Sequence, residues 1–145
     1  MFIDANLLVL LVVGSVSRSL IRKHRRTRNF VPEQYDALLR AIEVTAHVIV
    51  TPNTLTEACN LLKASDDARF LVRLRQLIEE SEEVVVESRE AAGNPYYLEV
   101  GLADAVLLEK ISPQRPLVTA DAALYQIAST LGEGTAFNIW HFYNP

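Results

Sequence analysis

The chain has 145 residues, half of them apolar and 22% charged, with a net charge of −4. That length supports one domain with a substantial core, and the composition excludes a disordered or fibrous polymer. The single cysteine, Cys59, excludes a disulfide framework and points to a reducing compartment, its simplest role being a small core side chain.

Met1 to Asp4 reads as a short buried strand, followed at once by an apolar helix that fades at Gly14. The run Leu7-Leu8-Val9-Leu10-Leu11-Val12-Val13 has the hydropathy of a secretory leader. It lacks a basic region before it, follows Asp4 and Asn6, and falls short of the ~20 residues of a membrane span. A buried first helix is expected, in a soluble cytoplasmic protein with no membrane partner.

Residues 14 to 31 hold no apolar period and read as a mobile basic loop or frayed helix. Within them Arg18, Arg22, Lys23, Arg25, Arg26 and Arg28 make up six of the 14 basic residues, with no acid among them. The other 8 of those 14 face all 18 acidic residues, so one basic segment lies on an acidic body. Such asymmetry predicts a local binding surface rather than general polyanion affinity.

Pro32-Glu33 opens a helix in which Tyr35, Leu38, Leu39, Ile42 and Ala46 recur at three- and four-residue spacing. Val48-Ile49-Val50 is the next strand, and Thr51-Pro52 starts a helix running to about Ala64. Ser65-Asp66-Asp67 caps another helix, with Leu71, Leu74, Leu77 and Ile78 as its apolar stripe. Val84-Val85-Val86 is predicted as the third strand, and Ser88 to Leu98 as an irregular stretch broken at Gly93-Asn94-Pro95, with room for a short helix. The chain continues with a helix over Ala103 to Ile111 and a strand at Leu117-Val118-Thr119. A helix over Asp121 to Leu131 follows, with Leu124, Ile127, Ala128 and Leu131 inward, and a final strand runs from Ala136 to Phe142.

Short apolar strands alternating with helices predict an α/β fold. A parallel, Rossmann-like sheet of about four or five strands is expected, with helices on both faces, as one unit over residues 1–145. In such sheets ligands bind beyond the carboxyl ends of the strands. Asp4 and Asp121 stand at the ends of the first and fourth strands, and Glu57 and Asp104 in early turns of helices near the same edge. Carboxylates among apolar neighbours are costly without compensation. Two of them about 4 Å apart repel by about 4 kcal/mol at an effective dielectric of 20, so a cluster calls for a counter-ion. Oxygen ligands without His or Cys favour Mg²⁺ or Mn²⁺, ions that clamp phosphate oxygens and assist hydrolysis. Taken singly, each acid also suits an N-cap, a strand-end turn or a solvated helix face, and Asp121 in particular suits a helix cap.

Four segments carry a family resemblance. Phe2-Ile3-Asp4-Ala5-Asn6-Leu7-Leu8 resembles the opening strand and turn of PIN-domain nucleases, and Thr54-Leu55-Thr56-Glu57-Ala58-Cys59-Asn60-Leu61-Leu62 their second acidic motif. Asp104-Ala105-Val106-Leu107-Leu108 is similar to the third, and Leu117-Val118-Thr119-Ala120-Asp121 to the fourth. The resemblance implies a PIN-like sheet and Mg²⁺- or Mn²⁺-dependent cleavage of single-stranded or structured RNA. Asp4, Glu57, Asp104 and Asp121 would hold the metal, supported by Asn6 and Thr119. Small members are toxins of the VapC kind, so an antitoxin partner and a homodimer are further implications. The long basic segment and Leu108-Glu109-Lys110 depart from the small-toxin pattern.

Arg22, Lys23, Arg25, Arg26 and Arg28 can neutralise RNA phosphates, an interaction that weakens steeply with salt. The same segment also reads as a clamp for an acidic antitoxin or as a solvated loop. Asn6 has a second reading as a turn or cap residue, and Asn60, on the helical face of Glu57, either orients that carboxylate or bonds a neighbouring loop. Tyr96-Tyr97 either stack on bases or pack the irregular stretch. The functional expectation is a metal-dependent endoribonuclease, against a catalytically silent RNA-binding or protein-interaction module of the same fold. A phospho-acceptor receiver domain fits less well, since no acid adjoins Asp4 and no lysine ends a late strand.

Overall fold

The computed structural model describes residues 1–142. Strand β1 (Phe2–Ile3) leads into α1 (Ala5–Val16) and a 3-10 turn (Arg18–Leu20); α2 (Pro32–Thr45), β2 (Ile49–Val50), α3 (Pro52–Lys63) and α4 (Ala68–Glu80) follow. Then come β3 (Glu82–Glu83), α5 (Ser88–Ala92), α6 (Tyr97–Val100), α7 (Leu102–Lys110), β4 (Leu117–Thr119), α8 (Ala122–Thr130), β5 (Ala136–Asn138) and a 3-10 turn at Ile139–Phe142.

The five strands form one parallel, Rossmann-like sheet in the order β3-β2-β1-β4-β5. Phe2 sits opposite both Ile49 of β2 and Leu117 of β4. From β1 the chain builds outward through β2 to β3, then returns to place β4 on the other side of β1. The strand order therefore reverses between β1 and β4, the position at which open α/β sheets bind ligands.

Alternation along the short strands divides the core. Met1, Ile3, Val48, Val50 and Val118 pack with apolar residues of α1, α2, α3 and α4, whereas Phe2, Ile49 and Leu117 pack with α7 and α8. A one-residue slip would exchange the two faces, so both layers hold the register. Helix α1 is apolar on every side because the sheet and three helices surround it, and its residues Leu7 to Gly14 are all buried. Gly14 lets α2 cross closely: a Cβ there would meet the Tyr35 ring at 2.5 Å.

The structure corrects several expectations. Residues 14 to 31 are not a frayed helix, since α1 continues to Val16 and the remainder is a chain of hydrogen-bonded turns. Ile21, Thr27 and Phe30 are buried, and the Thr27 hydroxyl donates to the Ile21 carbonyl at 2.7 Å. Three anchors spaced to close turns leave no helical period to read. Strand β3 is Glu82–Glu83 rather than Val84-Val85-Val86. Val86 turns away to pack with Ala91 and Val106, so tertiary burial overrides β propensity. The last strand stops at Asn138, whose side-chain oxygen accepts the Trp140 N–H at 3.0 Å and turns the chain. Leu71, Ile78 and Leu131, expected inward, are exposed, as is Ala46. None of the described helices is long and apolar enough to cross a membrane.

Candidate active site at the carboxyl edge of the sheet

Asp4 occupies the switch point. It ends β1 and caps α1, its Oδ1 accepting the Leu7 N–H at 2.8 Å. Its Oδ2 accepts the Thr119 hydroxyl through a short hydrogen bond and the Ala120 N–H at 3.1 Å, so the carboxylate joins the ends of β1 and β4. Thr119 in turn accepts the Asp121 N–H at 3.0 Å, and Asp121 Oδ1 caps α8 through the Leu124 N–H at 2.9 Å. Thr119, expected as a supporting residue, thus bridges two of the predicted acids.

Asp4 is 4% exposed. Burial pushes its carboxyl above the ordinary range against the pull of its three donors, and the charge of Asp121 adds to the rise. Asp104 lies in the first turn of α7, a helix entered through Gly101 at φ 81°, a conformation that glycine adopts without strain. Its carboxyl is pushed up to about 7, first by burial and then by the charges of Asp4, Asp121 and Glu57. All four predicted acids therefore share one electrostatic field. The ion pairs among the described residues are Arg18–Asp36, His47–Glu82, Arg69–Asp67 and Arg115–Glu82, and none reaches this cluster.

Among the described residues, no three His, Cys, Asp or Glu side chains converge tightly enough to hold an ion as they stand. The donor chemistry nevertheless suits a hard divalent cation. Asp104 and Glu57 make no side-chain hydrogen bond within the described residues, while Asp4 Oδ1 carries only one donor. The acids lie at one edge without an ion-pair partner among the described residues, and closing them around one point requires positive charge to arrive.

Glu57 is exposed on α3, in an open cleft of about 470 Å³ that also involves Asn53, Thr56, Asn60, Leu102 and Ala103. Asn60 bonds neither Glu57 nor a loop among the described residues, contrary to both expected roles. Asn6 is exposed on α1, and the cap is made by Asp4 instead. Arg22, Lys23, Arg25, Arg26 and Arg28 are exposed and free of ion pairs among the described residues, whereas Arg18 is engaged by Asp36 at 2.8 Å. Tyr96 and Tyr97 pack against the α7 side of the core, and His24 lies edge-on to Phe70 at 5.2 Å. A further cavity of about 530 Å³, bounded by Met1, Val44, Pro116 and Phe137 with Arg40 as its charged residue, holds no carboxylate and is chemically unlike this site.

Trp140 is the residue that sequence reasoning missed. Its Nε1 donates to the Ala120 carbonyl at 2.8 Å, and its ring stacks on Phe30 at 5.1 Å. Arg22 donates from Nη1 to the Phe30 carbonyl at 3.3 Å. The basic segment is thereby tied, through Phe30, Trp140 and Ala120, to the backbone that holds Asp4. Nothing in the spacing of residues 30, 120 and 140 announces that contact.

Compared with known proteins, the chain matches no family model, no curated protein and no solved structure.

Proposed function

We propose that the protein is a divalent-metal-dependent endoribonuclease hydrolysing RNA phosphodiester bonds, of the PIN-like kind suggested by its acidic motifs. The observation that carries this reading is the gathering of Asp4, Glu57, Asp104 and Asp121 around the β1–β4 switch point without a protein cation. Repelling carboxylates at a ligand-binding edge reduce stability unless an ion joins them.

These four side chains would hold Mg²⁺ or Mn²⁺, with Asp104 and Glu57 free to close on Asp4 and Asp121. Once bound, the ion supplies positive charge to a phosphate oxygen and promotes ionisation of the attacking water. Thr119 and the Ala120 N–H fix the orientation of Asp4, which limits rearrangement during the reaction. Arg22, Lys23, Arg25, Arg26 and Arg28 hold the RNA backbone, and the tie from Arg22 through Phe30 and Trp140 to Ala120 supports placing that surface beside the acids. An antitoxin partner and a homodimer extend the same reading; co-purification with the product of an adjacent gene and light scattering test them.

A catalytically silent RNA-binding module is the competing reading, and the lack of three converged ligating side chains among the described residues favours it. Total RNA incubated with Mn²⁺, with Mg²⁺ and with chelator separates the two. Metal-dependent fragments, absent from Asp4→Asn and Asp104→Asn proteins of unchanged circular dichroism, support the nuclease. Cleavage that persists in chelator or in either variant overturns it.

A further inference from the structure

Helix α3 presents Asn53, Thr56, Glu57 and Asn60 at spacings of three, four and seven residues from the first, which puts them on one stripe. The opposite face, with Leu55, Ala58 and Leu62, is buried in the core. The side chains of Asn53, Thr56 and Asn60 make no hydrogen bond within the described residues, although all three line the same cleft. Its apolar wall is Pro52, Leu102 and Ala103, and Ala103 immediately precedes Asp104. Glu57 is thus shared by the cleft and the acid cluster, and Ala103 sets the cleft wall next to Asp104 along the chain.

Charge decides what such a cleft can take. Its lining contains one carboxylate and no Lys, Arg or His, so it repels a phosphate. Two amides and a hydroxyl supply donors and acceptors suited to a neutral polar edge, and the apolar wall suits a flat ring. At about 470 Å³ the space falls within the ~300–1,000 Å³ of small-ligand sites. Phosphates have their own surface in the basic segment.

We propose that this cleft is a base-reading subsite for one unpaired RNA nucleotide beside the scissile bond, with Asn53, Thr56 and Asn60 contacting the base edge and ribose. The proposal rests on the ribonuclease reading and adds to it a place on α3 where one base is read, and hence a base preference. Unpaired bases present their edges to side chains in this way, whereas bases within an A-form duplex do not. Affinity and selectivity are divided, the basic segment supplying the first and the α3 stripe the second.

The test uses four fluorescein-labelled homopolymer RNAs, one for each base, bound to cleavage-silent Asp104→Asn protein and followed by anisotropy. About a tenfold spread in Kd among the four is expected, the size of one or two polar interactions with a base edge. Adding Asn53→Ala and Asn60→Ala collapses that spread to about threefold or less. Asn60→Asp, which replaces a donor by an acceptor, shifts the preferred base. Arg25→Ala with Arg26→Ala weakens all four alike. Asn60 is exposed and Asn53 half-buried, and matching thermal unfolding curves confirm that the variants fold. Equal binding of the four homopolymers, no binding of any, or a spread that survives the double substitution overturns the proposal. Base-selective binding without cleavage by the unmodified protein upholds the subsite and removes only the catalytic reading.

Discussion

Replacing Asp104 by Asn should stabilise the metal-free protein, and by an amount that depends on pH. The carboxyl is pushed from its ordinary value near 3.8 up to about 7, by burial and by three like charges. A raised carboxyl favours the protonated folded state, so its penalty is absent below the unfolded value. That penalty grows as pH rises from about 4 to about 7 and is complete above. At ~1.4 kcal/mol per pH unit the full penalty has a ceiling of about 4 kcal/mol. Asparagine keeps the shape and removes the charge, so urea unfolding in chelator should show Asp104→Asn equal to the parent near about pH 4. By about pH 8 the variant should be more stable by about 2–4 kcal/mol. Saturating Mn²⁺ should then narrow or reverse the difference, because an ion held by four acids stabilises the folded parent more than a variant left with three. A pH-independent difference, or a variant less stable than the parent at about pH 8 in chelator, would refute the raised Asp104 carboxyl and the burial and like charges that cause it.

Thr119→Val removes the hydroxyl between Asp121 and Asp4 and should cost about 1–3 kcal/mol in urea unfolding, with Thr119→Ser retaining most of the stability. An equal loss in both variants would mean that packing, not the hydroxyl, matters there. Gly14→Ala forces a methyl to 2.5 Å from the Tyr35 ring and should lower stability by about 1–3 kcal/mol, a loss that a smaller side chain at position 35 relieves. Trp140→Phe breaks the bond to Ala120 while keeping an aromatic face for Phe30, and should cost about 0.5–1.5 kcal/mol. Removing Arg22, Arg25 and Arg26 should lower the salt dependence of RNA binding by ~0.7 for each phosphate no longer neutralised, read from Kd against ionic strength. An unchanged slope would place the RNA backbone elsewhere.

The alternation of short apolar strands with amphipathic helices is local information, carried by Ile3, Ile49, Val118 and their neighbours. It is enough to read a parallel α/β sheet and to put Asp4 and Asp121 at strand ends. The apolar run of α1 similarly declares burial from every side. Other features depend on residues far apart in the chain. Val84-Val85-Val86 has the composition of a strand, yet Val86 is drawn to Ala91 and Val106. Residues 17 to 31 show no period because turns anchored by Ile21, Thr27 and Phe30 have none to show. The strand order, with β4 against β1, follows from which faces the helices cover.

At the site, strand ends and early helix turns put the four acids near one edge from the sequence, and Thr119 joins them only through the family resemblance. Tertiary structure decides how: Thr119 and Ala120 hold Asp4 across more than a hundred residues of chain, and Trp140 brings the basic segment to the same backbone. It also places Asn53, Thr56 and Asn60 opposite Leu102 and Ala103, facing a cleft that no local pattern describes. Periodicity reports which side of an element is buried. Which partner buries it, and which polar groups meet across the gap, is set by the folding of the whole chain.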